Sequence, residues 1–145
     1  MDVTIIPNKL RGTVTPPSSK SVGHRALIAA ALSGGFSTIS NLGDSKDIQA
    51  TRSCLSALKT GQPAGEDGLP LLDCGESGST LRFLIPVALL VQGEAQFTGR
   101  GRLMERPLTP YEALFQEKGI SWSLENGVLT IDSGRGYDRL ALDPG

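Results

Sequence analysis

The chain contains few of the side chains that hold metals or stack on nucleic-acid bases. Among its 145 residues are one histidine, two cysteines and 5% aromatic residues. Cys54 and Cys74 form no Cys-x-x-Cys pair, and His24 alone does not complete a zinc site with them. We expect both cysteines to be small apolar side chains that are buried or half-buried. No Gly-x-Ser-x-Gly sequence or familiar Cys/His pairing is present, so we expect His24 to be a packed or solvated helix residue, not a catalytic base.

Charge and apolar runs are limited too. The formal net charge is −1, which argues against a general nucleic-acid or membrane-surface binder. The longest apolar runs, residues 26–32 and 84–91, are too short to cross a bilayer. The first residues lack the charged and apolar regions of a signal peptide. We therefore predict a cytoplasmic protein without a nucleic-acid or membrane partner.

Hydrophobic periodicity, Gly and Pro predict a mixed α/β chain. Helices are expected over residues 20–33, 47–59, 79–91 and 107–118, with Gly61 and Gly119 ending the second and fourth. Strands are expected over residues 3–6, 13–15, 36–42, 71–74, 95–98, 120–124 and 128–131. The last two should form a hairpin across Asn126-Gly127.

The order of these elements repeats along the chain. Residues 25–28 (Arg-Ala-Leu-Ile) match residues 82–85 (Arg-Phe-Leu-Ile) at a distance of 57 residues, and Gly61 matches Gly119 at 58. We interpret this as an internal duplication of a strand–helix–strand–helix–strand unit. Such units bury their apolar helix faces only against neighbouring units.

Three short motifs place cations and small polar residues at predicted helix starts, where free N–H groups favour anions. They are Pro-Ser-Ser-Lys-Ser-Val-Gly-His-Arg at residues 17–25, Gly-Glu-Ser-Gly-Ser-Thr-Leu-Arg at 75–82 and Met-Glu-Arg-Pro at 104–107. In the first, Lys20 supplies a point charge, Ser21 a hydroxyl and Arg25 a planar fork suited to phosphate or carboxylate. An ordinary capped surface helix with solvated cations explains this motif equally well.

The second and third motifs lack a decisive signature of their own. Gly75 and Gly78 allow a backbone N–H to approach a ligand, and Arg82 follows one turn later. The Gly-Lys-Ser/Thr ending of a P-loop is missing. Arg106 is best placed to face a ligand, whereas the nearby Arg100 and Arg102 are expected to be solvated. The residues themselves thus indicate an α/β protein that binds phosphate or carboxylate groups.

Together the motifs resemble those of the EPSP synthase family, the 3-phosphoshikimate 1-carboxyvinyltransferases. Residues 17–25, 41–48 (Asn-Leu-Gly-Asp-Ser-Lys-Asp-Ile), 75–82 and 98–107 (Thr-Gly-Arg-Gly-Arg-Leu-Met-Glu-Arg-Pro) follow the family's order. Lys20-Ser21 and the Glu of Glu105-Arg106-Pro107 are similar to this branch, not to the related UDP-N-acetylglucosamine enolpyruvyl transferases. The resemblance implies transfer of the enolpyruvyl group of phosphoenolpyruvate to the 5-hydroxyl of shikimate 3-phosphate, giving EPSP and phosphate. This step belongs to chorismate and aromatic amino-acid biosynthesis and needs no metal or organic cofactor.

The resemblance also implies substrate contacts. These are Lys20, Ser21 and Arg25 for shikimate 3-phosphate, and Lys20, Gly78 and Arg106 for phosphoenolpyruvate. Arg82 is expected beside the phosphoenolpyruvate pocket. Two residues depart from the family pattern, since Ser18 replaces a usual Gly and Glu76 a frequent Asn. A carboxylate at position 76 is expected either to weaken phosphoenolpyruvate binding or to pair with a nearby arginine.

By the same resemblance, the chain is the N-terminal part of a longer two-domain enzyme, monomeric when intact. Residues 1–15 would be strands of the other domain. Residues 16–145 would hold two of the three βαβαββ units of one domain, about 16–74 and 75–145. The family's acid and base groups lie outside these residues, so we assign no catalytic residue here and predict that the chain alone has no transferase activity.

Two alternatives remain for the chain as it stands. It could be a standalone anion-binding module derived from the enzyme, which self-associates through its unpartnered face, or a product without function. Tight calorimetric binding of shikimate 3-phosphate would favour the module, and no binding would favour an incomplete enzyme. Sedimentation would detect self-association.

Overall fold

A computed structural model describes residues 2–7, 9 and 11–134. Its elements are α1 (Lys20–Leu32), α2 (Lys46–Thr60), β1 (Leu71–Asp73), α3 (Gly78–Val91), β2 (Glu94–Thr98), α4 (Thr109–Lys118), β3 (Ser121–Glu125) and β4 (Val128–Asp132). The predicted mixed α/β class is therefore confirmed. The part of the predicted second unit that comprises residues 135–145 lies outside the described residues.

The four strands form one mixed sheet in the order β1-β2-β4-β3. Strand β1 pairs with β2 in parallel, and α3 forms the connection between them. Strands β2 and β3 both pair antiparallel with β4. The turn of the β3–β4 hairpin holds Asn126 at φ 50° and Gly127 at φ 76°, as the Asn-Gly sequence predicts.

The core lies where α2 and α3 pack on the sheet. Phe97 of β2 and Leu129 and Ile131 of β4 are fully buried. They form one cluster with Leu84 and Ile85 of α3, which continues as a helix through Pro86. The two cysteines are free and buried in the same cluster, as predicted.

Local capping signals fix where the helices begin and end. Ser19, Ser45 and Ser77 each accept a hydrogen bond at their hydroxyl from a backbone N–H three residues later, which caps α1, α2 and α3. Gly61 and Gly119 end α2 and α4 in the left-handed region, as predicted. Helix α4 begins two residues later than expected, because Pro110 and not Pro107 occupies its first turn.

Three predicted strands are wrong. Among the described residues, segments 3–6, 13–15 and 36–42 form no strand. Most of their apolar side chains are exposed: Val3 is 78%, Ile5 83% and Phe36 112% accessible, whereas Ile39 and Leu42 are half-buried. A strand needs a neighbour to take its backbone hydrogen bonds, and no described segment pairs with these three. The first predicted unit, residues 16–74, therefore contains α1, α2 and β1, and the other three strands of the sheet lie between residues 94 and 132.

Candidate anion-binding site

The first turns of α1, α2 and α3 lie side by side. Lys20, the first residue of α1, donates from Nζ to Oδ2 of Asp47 in the first turn of α2 at 2.9 Å. Thr80 of α3 donates to the backbone carbonyl of the same Asp47 at 3.3 Å. The close approach of α1 and α2 requires Gly23, since a methyl group there would lie 2.9 Å from side-chain atoms of both Ile48 and Leu42. Three helix N-termini therefore share one region of the surface.

Lys20 has a carboxylate partner that its own motif did not predict. The Lys20–Asp47 pair is partly solvated, with side-chain exposures of 59% and 33%, so it adds little to stability. Its effect is to hold the lysine head over the start of α2. Asp47 lies inside the 41–48 motif. Because acidic residues are common in the first turn of a helix, the sequence did not mark Asp47 as part of a site.

Gly78, Arg82 and Arg106 form a second group. A methyl group on Gly78 would lie 2.9 Å from Nη1 of Arg82 and equally close to Nη1 of Arg106. Among the described residues, Arg82 donates only to backbone carbonyls, those of Gly78 at 3.5 Å and Pro107 at 3.4 Å. Neither arginine belongs to any ion pair between described residues. Two uncompensated guanidinium groups that approach one glycine make a favourable place for an anion.

Arg25 lies further along α1, on the side that faces α3. Its Cζ is 5.7 Å from the centre of the Phe83 ring, a cation–π distance. It borders an apolar pocket together with Arg82, Phe83 and Tyr111. The Tyr111 hydroxyl donates to the Arg82 carbonyl at 2.6 Å, which ties α4 to α3. Arg25 thus reaches the same region as Arg82 from the opposite helix.

The hydroxyl of Ser21 makes no hydrogen bond to the described residues, and the side chain is exposed on α1. The structure therefore leaves this predicted contact open to solvent without bringing it against Gly78 or Arg106. Ser18, which departs from the family pattern, packs its Oγ against Gly43, where a methyl group would lie 2.6 Å away.

The charged residues of the neighbouring loop are mostly neutralised. Arg100 pairs with Asp73 at 3.1 Å, and Arg102 pairs with Glu105 at 3.2 Å. Both arginines are exposed, as predicted. Glu76 lies against Gly101 and joins no ion pair between described residues, so the alternative in which it pairs with an arginine is not seen.

His24 is 2% exposed, so of the two states that the sequence left open, packed or solvated, it is the packed one. Burial lowers the pKa of His24 below its ordinary value of 6.5; Asp47 opposes this shift, and Lys20 acts in the same direction as burial. A neutral, enclosed imidazole cannot reach a substrate. Across residues 2–7, 9 and 11–134, no three His, Cys, Asp or Glu side chains cluster as metal ligands. No helix in that part of the chain is long and apolar enough to span a membrane.

Known proteins are similar to this chain over most of its length. The family model described as EPSP synthase (3-phosphoshikimate 1-carboxyvinyltransferase) matches residues 5–137. The chain belongs to the EPSP synthase family. Similar curated proteins, all named 3-phosphoshikimate 1-carboxyvinyltransferase, come from Clostridium kluyveri (44% identity over 89% of this chain), Clostridium perfringens (42% over 90%) and Clostridium beijerinckii (41% over 90%).

The predicted resemblance to EPSP synthases is thus confirmed over most of the chain. The matched regions are 33% of the Clostridium kluyveri protein and 34% of the other two, so the chain spans about a third of the length of these relatives. In this member of the EPSP synthase family, Gly78, Arg82 and Arg106 lie close together, and Lys20 is paired with Asp47. The substrate that each of these residues contacts stays a prediction.

Proposed function

We propose that the first turns of α1, α2 and α3, together with Arg106, form one side of a site for shikimate 3-phosphate and phosphoenolpyruvate. The reaction served is enolpyruvyl transfer to the 5-hydroxyl of shikimate 3-phosphate, in a cytoplasmic enzyme of aromatic amino-acid biosynthesis. One observation carries the proposal. The guanidinium groups of Arg82 and Arg106 both approach Gly78, and neither forms an ion pair with a carboxylate of the described residues.

The chemistry of the two substrates requires such a surface. Each carries a phosphate and a carboxylate, and the two molecules repel each other when brought close enough to react. Clustered guanidinium groups and helix N–H donors offset this repulsion and align the substrates. In this proposal Arg82 and Arg106 hold phosphoenolpyruvate over Gly78, while Ser21 and Arg25 contact shikimate 3-phosphate.

Lys20 stands between the two substrates in the proposed arrangement. Its ion pair with Asp47 is solvated enough for an incoming phosphate to compete for the ammonium group. Asp47 would then serve to hold Lys20 near its working position when no substrate is bound. The groups that move protons during the reaction are not assigned to these 145 residues, so the chain is proposed to bind substrate without turning it over.

Calorimetric titration of the 145-residue chain tests this function. We expect saturable binding of shikimate 3-phosphate with a Kd on the order of 1 mM, because only part of the contacts is present, and no phosphate release when both substrates are added. Shikimate without the phosphate is the matched control and should bind on the order of tenfold more weakly. Equal affinity for the two compounds would contradict the proposal.

The oligomeric state stays a prediction. The C-terminal halves of α1, α2 and α3 border an apolar pocket with Leu32, Phe36 and Val91, and these three side chains are exposed. Self-association of the chain through this surface, and a monomeric intact enzyme, are both expectations that sedimentation would check.

A further inference from the structure

A buried chain of hydrogen-bonding side chains crosses the three helices beneath the candidate site. Nδ1 of His24 on α1 lies 2.7 Å from Oγ1 of Thr51 on α2. Thr51 Oγ1 lies 2.7 Å from Oγ1 of Thr80 on α3, and Thr80 Oγ1 donates to Oγ of Ser77 at 2.7 Å. All four side chains are buried, with exposures of 4% or less.

The hydrogen bonds in this chain have one consistent direction. The Thr80 hydroxyl has a single proton, and its donation to Ser77 at 2.7 Å means that it accepts from Thr51. The Thr51 hydroxyl then donates its proton to Thr80, and its oxygen accepts from Nδ1 of His24. With these directions His24 is the donor to Thr51, and we expect its ring proton on Nδ1. The longer contacts of both threonines with the Asp47 carbonyl, 3.2 and 3.3 Å, are secondary branches of the same hydroxyl protons.

Each of these four hydrogen-bonded residues lies next to, or contacts, a residue of the candidate site. His24 is one turn from Lys20 on α1, so the two share a helix face. Thr51 and Thr80 both contact the carbonyl of Asp47, the residue that holds Lys20. Ser77 caps α3 immediately before Gly78 and accepts from the Thr80 N–H at 3.2 Å. The chain thus joins the Lys20 end of the site to the Gly78 end.

We propose that His24, Thr51, Thr80 and Ser77 are positioning residues that fix the three helix N-termini relative to one another, and so set the spacing between the Lys20–Asp47 pair and the Gly78–Arg82–Arg106 group. This inference rests on the proposed function for its ligands. Apolar contacts between helices are non-directional, and they would tolerate small rotations of α1 against α3. A hydrogen-bonded chain with every link at 2.7 Å permits one arrangement.

The experiment compares variants that remove a hydroxyl without changing shape. Thr51→Val, Thr80→Val and the double variant each break the chain, Thr80→Ser retains the hydroxyl, and Thr60→Val is the matched control. Thr60 also lies on α2 and donates to a carbonyl four residues earlier, but it is exposed and outside the chain. Affinity for shikimate 3-phosphate and for inorganic phosphate is measured, with the ¹⁵N shifts of the His24 ring and of the Lys20 and Gly78 amides.

We expect each single valine variant to weaken shikimate 3-phosphate binding about fivefold and to shift the Lys20 and Gly78 amides together. The double variant should lose no more than either single one, because one break is enough. Thr80→Ser and Thr60→Val should bind like the wild type. The His24 ring should carry its proton on Nδ1 in the wild type and lose this preference in Thr51→Val.

Three results would overturn the inference. They are an Nε2-protonated His24 in the wild type, additive losses in the double variant, and amide shifts that remain local to each substitution. If the wild-type chain binds neither shikimate 3-phosphate nor phosphate, the proposed function fails for this chain. The tautomer of the His24 ring and the coupled amide shifts then still decide whether the hydrogen-bonded side chains of His24, Thr51, Thr80 and Ser77 position the helices.

Discussion

Replacement of Arg106 by glutamine should weaken phosphoenolpyruvate binding by on the order of tenfold to a hundredfold, the value of a hydrogen bond to a charged group of about 1.5–3 kcal/mol. Arg106 is exposed, joins no ion pair between described residues and approaches Gly78. Its loss should therefore cost little folding stability, within about 0.5 kcal/mol, and remove one of two cations from the anion site. Calorimetric titration and chemical denaturation measure the two effects separately.

Arg102→Gln is the matched control. Arg102 belongs to the same loop, but its guanidinium is already paired with Glu105 at 3.2 Å and is solvated. This variant has the same change in net charge as Arg106→Gln and should leave phosphoenolpyruvate affinity nearly unaltered. Equal losses in the two variants would mean that the loop attracts anions through its overall charge, and that Arg106 has no specific contact.

Gly78→Ala should weaken phosphoenolpyruvate binding without loss of stability, whereas Gly99→Ala should lower the stability of the fold. At Gly78 the new methyl group would be too close only to the ends of two flexible arginine side chains, and it would make an ordinary contact with Cδ1 of Leu103 at 3.9 Å. Alanine also favours the helix by up to about 1 kcal/mol. Stability should hold, while displacement of both guanidinium groups weakens phosphoenolpyruvate binding on the order of tenfold.

At Gly99 the methyl group would lie 2.5 Å from Cδ2 of Leu103 and 2.8 Å from the backbone oxygen of Gly75. That oxygen already accepts from the Arg100 N–H at 2.7 Å, so the backbone must shift. We expect a loss of about 1–3 kcal/mol in the free energy of unfolding, measured by denaturant titration. A destabilised Gly78→Ala together with an unaffected Gly99→Ala would contradict the local geometry described for both turns.

Local signals allowed most of the helices to be predicted from the sequence. Ser19, Ser45 and Ser77 cap their own helices, and Gly61 and Gly119 end theirs, through contacts within a few residues. The hairpin followed from Asn126-Gly127 for the same reason. The strand predicted over residues 36–42 failed because alternation of apolar residues describes one segment, whereas a strand depends on a partner elsewhere in the chain.

The site could be predicted only in part, for a related reason. Gly78, Arg82 and Arg106 became candidates because each lies in a motif, and the structure brings the three residues close together. The ion pair between Lys20 and Asp47 and the hydrogen bonds among His24, Thr51 and Thr80 join residues 27 or 29 positions apart. Single hydroxyl and acidic residues on amphipathic helices carry no mark of such distant partners, and they become visible only when the helices are packed.

The central claim is that the starts of α1, α2 and α3 form one substrate surface together with Arg106. Mapping of ¹⁵N amide shifts during joint titration with shikimate 3-phosphate and phosphoenolpyruvate tests it most directly. The largest shifts should fall on residues 19–23, 46–48, 77–80 and 104–106, and the β3–β4 hairpin should stay unchanged. Shifts concentrated around Leu32, Phe36 and Val91, at the opposite ends of the helices, would contradict the account.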